Sequence, residues 1–258
     1  QFNSILLDVS QEAKNEELLK RYTLELERSN EELEQFAYVA SHDLQEPLRM
    51  ISSFMDLLKR KYADKIDEKG QQYINFATDG AKRMKNLILD LLEYSRAGRT
   101  NEVRENVDLD LLLFEFKELR RKIIEEKKAT LVYDQLPTIQ SYRVPLTQIF
   151  HCLLDNALNY SKTDCPPIVE ISYKEDDSNF IFVIKDNGIG IHPNYHDKIF
   201  LIFQRLHNND KFTGTGIGLS LVKRQVEYLG GSIWLESEEE KGTTFFIQIP
   251  KNIKQLQT

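Results

Sequence analysis

Between residues 19 and 40 the apolar or small side chains Leu19, Tyr22, Leu26, Ser29, Leu33, Phe36 and Ala40 recur at alternating spacings of three and four, with Glu, Lys and Arg between them. Such a heptad seam places one apolar stripe along a helix and calls for a partner helix to cover it, the signature of a coiled coil. No Pro or Gly interrupts the pattern before Pro47. It therefore predicts one helix from about residue 11 through the segment SHDLQEPLR and beyond, kinked near Pro47, which has no amide hydrogen and crowds the preceding turn.

A polar stretch, residues 62–70, then separates this helix from a second amphipathic one, in which Tyr73, Phe76, Ala77, Ala81, Met84, Leu87, Ile88, Leu91 and Leu92 share a face. Two such helices make an antiparallel hairpin. A hairpin alone leaves an apolar face uncovered, so the expectation is a four-helix bundle across a homodimer; packing within one chain is the alternative.

After Tyr94 the segment SRAGRTNE reads as a linker, and the pattern changes. Helices are expected over 108–128, 144–161 and 215–229, and strands over 129–133, 169–173, 180–185, 232–236 and 243–249, the last two as a hairpin. Strands interleaved with helices predict an α/β sandwich with one mixed sheet under helices. The boundaries expected are 1–35 for a coiled-coil helix, 36–98 for the helical hairpin and 99–258 for the α/β domain.

The balance of 34 basic and 41 acidic residues, net charge −7, argues against a nucleic-acid binder that works by phosphate neutralisation. Cys152 and Cys165 stand in no metal-ligand spacing, which fits a reducing cytoplasm. No run of about 18 apolar residues is present, and the opening QFNSILLDVSQEAK lacks a basic region followed by an apolar one, so neither a membrane span nor a signal peptide is expected. A chain without an initiator Met is expected to be a piece of something longer.

Two glycine clusters carry chemistry. In VIKDNGIGI, Asp186 closes an apolar strand, and Gly188 and Gly190 allow a ligand close to the backbone. A carboxylate there can accept from an adenine amino group; a plain turn is the bland alternative. In GTGIGLSLVKRQVE, Gly214, Gly216 and Gly218 precede a helical pattern, where exposed amides and the helix dipole make a phosphate cradle. The intervening segment, with Phe200 and Phe203 as anchors, suits a lid. On the first helix, His42 is a nucleophile at neutral pH and Asp43 can accept its other ring proton. Adjacent helix positions do not share a face, so Asp43 has to reach around the ring.

LLDNALNYS at 153–161, DNGIG at 186–190, IFLIFQRLH and GTGIGL at 214–219 together resemble the N, G1, F and G2 boxes of histidine-kinase ATP-binding domains of the Bergerat fold, over Val107 to Pro250. FAYVASHDLQEPL resembles the H-box of that family's dimerisation domain, over residues 36–98. The resemblance implies a sensor histidine kinase core that uses ATP and Mg²⁺, phosphorylates itself on His42 with Asp43 as orienter or base, and passes the phosphoryl group to a response-regulator receiver, with a sensor module upstream. It implies Asn156 as the Mg²⁺ ligand, Asp186 on the adenine with Thr244 nearby, Tyr160 near base or ribose, and Gly216, Gly218 and Leu219 at the phosphates.

Three positions depart from the family pattern. Cys152 stands where Asn is usual, a soft ligand poorly suited to Mg²⁺. Asn159 stands where Lys is frequent, and Lys162 is either its replacement at a phosphate or a solvated lysine. Glu46 stands one turn after His42, where Thr or Asn accompanies phosphatase activity; its charge would repel an acyl phosphate, which predicts weak phosphatase action. Two rivals follow: a scaffold that holds nucleotide without transferring phosphate, and a gyrase-like ATPase, which would need a water-activating carboxylate where Cys152 stands.

Overall fold

A computed structural model describes residues 2–97, 103–204, 206 and 214–252. The chain divides into two compact units, one built on Gln1–Ile88 and the other on Leu89–Gln255.

The first unit is helical. Helix α1, Phe2–Lys61, begins earlier than the seam required and stays helical through Pro47. A proline inside a helix costs roughly 3 kcal/mol. A short 3₁₀ turn, Ala63–Lys65, leads to α2, Glu68–Arg96. The second helix thus starts inside the stretch read as a connection, because Asp67 caps it by accepting from the Gly70 amide at 2.8 Å. Lys59 of α1 donates to Asn75 of α2 at 3.1 Å, tying the hairpin.

Among the described side chains of this unit Ser41, Leu48 and Ala81 are buried, whereas Leu19, Tyr22, Phe54, Tyr73, Phe76 and Met84 are exposed. An apolar face is left open, as the heptad argument required. The side chains of Leu26, Leu33 and Phe36, also assigned to the seam, lie outside the described ones.

In the second unit a five-stranded mixed sheet runs in the order β2 (Thr130–Tyr133), β4 (Ile168–Glu175), β5 (Asn179–Asp186), β7 (Gly242–Pro250) and β6 (Ser232–Glu238). β2 lies parallel to β4, and every other pair is antiparallel. Helices α3 (Leu109–Leu119), α5 (Arg143–Asn159) and α6 (Gly218–Tyr228) supply the second layer. The period-two inward residues Phe180, Phe182 and Ile184 of β5 and Phe245, Ile247 and Ile249 of β7 meet Phe116, Ile149, Phe150 and Leu153 from the helices. Phe150 packs edge-on against Phe182 with centroids 5.5 Å apart. Each such buried side chain contributes about 1.5–3 kcal/mol.

One expectation is corrected and one element is added. The helix expected over 108–128 breaks at Arg120 into α3 and α4 (Arg121–Lys127). The Arg120 guanidinium is gripped by both oxygens of Asp155 on α5, each at 2.7 Å, and this bidentate pair fixes the corner. Strands β1 (Glu105–Asp108) and β3 (Thr138–Ser141) form a separate antiparallel pair, additional to the strands expected. Of the linker, residues 98–102 lie outside the described ones.

Candidate active site

Asp186 ends β5, and its Oδ1 accepts from the Gly188 amide at 2.8 Å and the Thr243 amide at 3.2 Å. None of the described residues bonds Oδ2, which stays available to a ligand. Burial pushes this carboxyl above its ordinary pKa, and the two amide bonds pull the other way. The loop beyond is clamped from two sides. The Ile189 amide donates to the Tyr160 carbonyl at 3.0 Å, and the Ile189 carbonyl accepts from the Glu240 amide at 2.8 Å in the β6–β7 turn. Gly190 adopts φ +70°, and a Cβ there would stand 2.0 Å from the Glu238 carbonyl oxygen, so no side chain fits.

Helix α5 delivers the next elements. Its C-cap Tyr160 reaches the glycine-rich loop: a Cβ on Gly214 would lie 3.3 Å from the Tyr160 hydroxyl. Gly216 takes φ +79°, turning the chain into α6, which begins at Gly218, three residues later than expected. Leu219 follows, half-buried, in the first turn. One helix end, the Asp186 loop and the Gly214–Gly218 loop thus converge.

Cys152 lies beneath that helix start, where a Cβ on Gly218 would approach its sulfur to 2.8 Å. Burial pushes the thiol up to about 12, reinforced by the negative fields of Asp155, Asp90 and Glu93. A protonated thiol is neither a metal ligand nor a nucleophile. In the folded protein at pH 8, iodoacetamide should leave the Cys152 peptide unmodified by mass spectrometry; rapid alkylation would contradict this placement.

Asn156, one turn on, donates from Nδ2 toward the Cys152 sulfur at 3.9 Å, so Oδ1 faces away from it. A single amide oxygen fits Mg²⁺, which prefers oxygen and takes most of its ligands from phosphates and water. Among the described residues no cluster of three His, Cys, Asp or Glu side chains could hold a metal.

The structure redraws other expectations. Thr244 pairs across the sheet with Lys185 and Glu236 on the face opposite Asp186, so Thr243 is the neighbour of the carboxylate. Period-two alternation along β7 could have shown this, since Thr243 shares parity with the buried Phe245 and Ile247. Lys162 donates to the Glu240 carbonyl and so fastens the β6–β7 turn beside the Asp186 loop. Asn159 is half-buried in the last turn of α5.

Ser237 was missed. Its hydroxyl accepts from the Ile191 amide at 2.8 Å, lies 2.9 Å from the Thr243 hydroxyl and donates to the Gly242 carbonyl at 2.9 Å. Of the expected lid, Phe200 packs on the core and Phe203 is exposed at φ +64°. Residues 205 and 207–213 lie outside the described ones.

In the first unit His42 and Asp43 project from α1, each with a side chain 72% exposed. Nδ1 of His42 lies 3.2 Å from Asp43 Oδ1, so Asp43 does reach around the ring as adjacency demanded. In the Nδ1–H tautomer that this bond favours, the Nε2 lone pair faces outward.

Comparison with known proteins matches residues 32–100 to the His Kinase A (phospho-acceptor) domain and residues 142–253 to the histidine kinase-, DNA gyrase B- and HSP90-like ATPase domain. Cyanobacterial phytochrome A of Nostoc sp. is 39% identical over 88% of this chain and 29% of its own length. Sensor protein kinase WalK of Staphylococcus aureus is 33% identical over 88% of this chain and 55% of its own. The chain therefore spans about a third to a half of these relatives. The structure of histidine kinase ThkA with response regulator protein TrrA superposes with a TM-score of 0.59 at 25% identity, over 90% of this chain and 66% of that one. With a phosphoacceptor domain on the helices that carry His42 and an ATPase domain on the sheet and loops around Asp186, the chain belongs to the sensor histidine kinases, of which it is a catalytic core.

Proposed function

We propose that this core binds ATP·Mg²⁺ in its sheet-containing unit, phosphorylates His42, and passes the phosphoryl group to an aspartate of a response-regulator receiver. The observation that supports this reading most is the pairing, in one chain, of an exposed His42–Asp43 couple with a buried carboxylate flanked by two glycine loops. The three divisions given above serve as a coiled-coil signalling helix (1–35), a dimerisation and histidine phosphotransfer domain (36–98) and a catalytic ATP-binding domain (99–258), with dimerisation through the open apolar face of α1 and α2 and input from an upstream sensor module.

Asp186 Oδ2 accepts from the adenine amino group, and the amides at Gly216 and Gly218 receive the phosphates at the start of α6. Asn156 Oδ1 would hold Mg²⁺, whose chemistry there would be to neutralise phosphate charge. His42 Nε2 attacks the γ-phosphorus, an N–P bond forms, the bond from that phosphorus to the bridging oxygen breaks, and ADP leaves. Asp43 holds the Nδ1–H tautomer and offsets the positive charge that develops on the ring. The protonated thiol of Cys152 cannot activate water, which disfavours hydrolysis as the main reaction.

Incubation of the chain with γ-labelled ATP and Mg²⁺ tests this. Covalent label that survives alkali and is lost in acid, as a phosphoramidate requires, is the expected result. Nucleotide binding without label would support the scaffold instead, and steady phosphate release without label would support the ATPase.

A further inference from the structure

The second unit begins inside α2, and its residues Leu89–Ala97 are fastened to the helices of the nucleotide site. Glu93 accepts from Gln148 of α5 at 2.8 Å, and Gln148 in turn accepts from Gln225 of α6. Arg224 of α6 donates to the Ala97 carbonyl at 2.9 Å and lies over the Tyr94 ring, 4.8 Å from its centroid. The last contact falls on the glycine-rich loop itself: the Thr215 hydroxyl donates to Asp90 Oδ2 at 2.5 Å. Thr215 Oγ1 also accepts from the Ile217 amide at 3.4 Å.

A hydrogen bond accepted by a carboxylate is stronger than one between neutral groups. Here it holds a carboxylate on the side chain of Thr215, the residue between Gly214 and Gly216, on a loop whose amides and dipole are suited to anions. The contacts of Arg224 and Gln148 already fasten this stretch of α2, so a neutral side chain at position 90 would serve attachment as well. A charge in that place acts on whatever charged group enters the loop, and it acts in proportion to that group's charge.

We propose that Asp90 is a gate on the phosphate cradle: bonded to Thr215, it holds the loop and repels incoming phosphates, so that ATP binding and release of the Asp90–Thr215 contact are coupled. This rests on the reading of Gly214–Gly218 as the phosphate loop. Movement of α2 that withdraws Asp90 then raises ATP affinity, and by reciprocity bound ATP favours the withdrawn state.

The test measures dissociation constants of the whole chain for adenosine, ADP and a non-hydrolysable ATP analogue with Asp90→Asn, Asp90→Ala and Thr215→Val. Asp90→Asn keeps an acceptor for Thr215 and removes the charge; affinity for the ATP analogue should rise about tenfold, ADP less, and adenosine not at all. Thr215→Val removes the tether and should give a smaller rise, not additive with Asp90→Ala. High salt should shrink the Asp90→Asn effect. Unchanged or weaker ATP affinity in the folded Asp90 variants overturns the gate, as does an equal rise for adenosine, which would mean a general loosening. Wild-type chain that binds none of the three ligands overturns the nucleotide-site reading itself.

Discussion

Asp186→Asn should weaken ATP binding by about a hundredfold while leaving the protein folded and slightly more heat-stable at neutral pH. Oδ1 is pinned by the amides of Gly188 and Thr243, both donors. An Asn side chain must keep its carbonyl oxygen at that place, which puts its NH₂ where Oδ2 stood. The adenine amino group then meets a donor instead of an acceptor, and two polar groups are left unpaired. The fold has no such quarrel, because both pinning bonds survive.

The stability change follows from the raised folded pKa of Asp186, which burial causes. Between the unfolded and folded pKa values the native state binds the extra proton, so stability falls as pH rises through that window and stays reduced above it. Asn removes this penalty. The gain in melting temperature should therefore be present at pH 7 and vanish below the ordinary carboxylate range. ATP binding by the wild type should weaken in the opposite sense, as acid protonates Asp186. Titration calorimetry and melting curves across pH check both; unchanged ATP affinity in folded Asp186→Asn would remove Asp186 from the nucleotide site.

How much of this was legible in the sequence depends on the range of the interaction. The sheet strands around Phe182 and Phe245 announce themselves by alternation, and α5 by its apolar spacing, because both signals are local and repeat. The glycine loops and Asp186 are legible as a motif in order. The break at Arg120 is not, because its cause is Asp155, far along the chain. The short strands β1 and β3 carry four residues each, too few for a period to stand out. The resemblance points to Thr244, whereas face parity along β7 puts Thr243 beside the carboxylate. Ser237 and Asp90 act only through partners that the fold supplies, the Ile191 amide and Thr215.

His42→Gln should reduce labelling from γ-labelled ATP to background, a loss of about a thousandfold or more, with ATP affinity unchanged. Glutamine is a good helix former of similar reach, and position 42 is exposed in mid-helix, so α1 has no reason to change. What it lacks is a ring nitrogen lone pair, since the amide nitrogen is conjugated to its carbonyl. Asp43→Asn separates the roles of the pair. An amide oxygen can still accept from Nδ1–H, so the tautomer survives, but the negative charge that offsets the developing imidazolium is gone. Labelling should fall about ten- to a hundredfold and remain on His42, with ATP affinity again untouched. Phosphopeptide mapping under alkaline conditions distinguishes the outcomes: undiminished label in His42→Gln would move the acceptor elsewhere, and an undiminished rate in Asp43→Asn would reduce the 3.2 Å contact to a bystander.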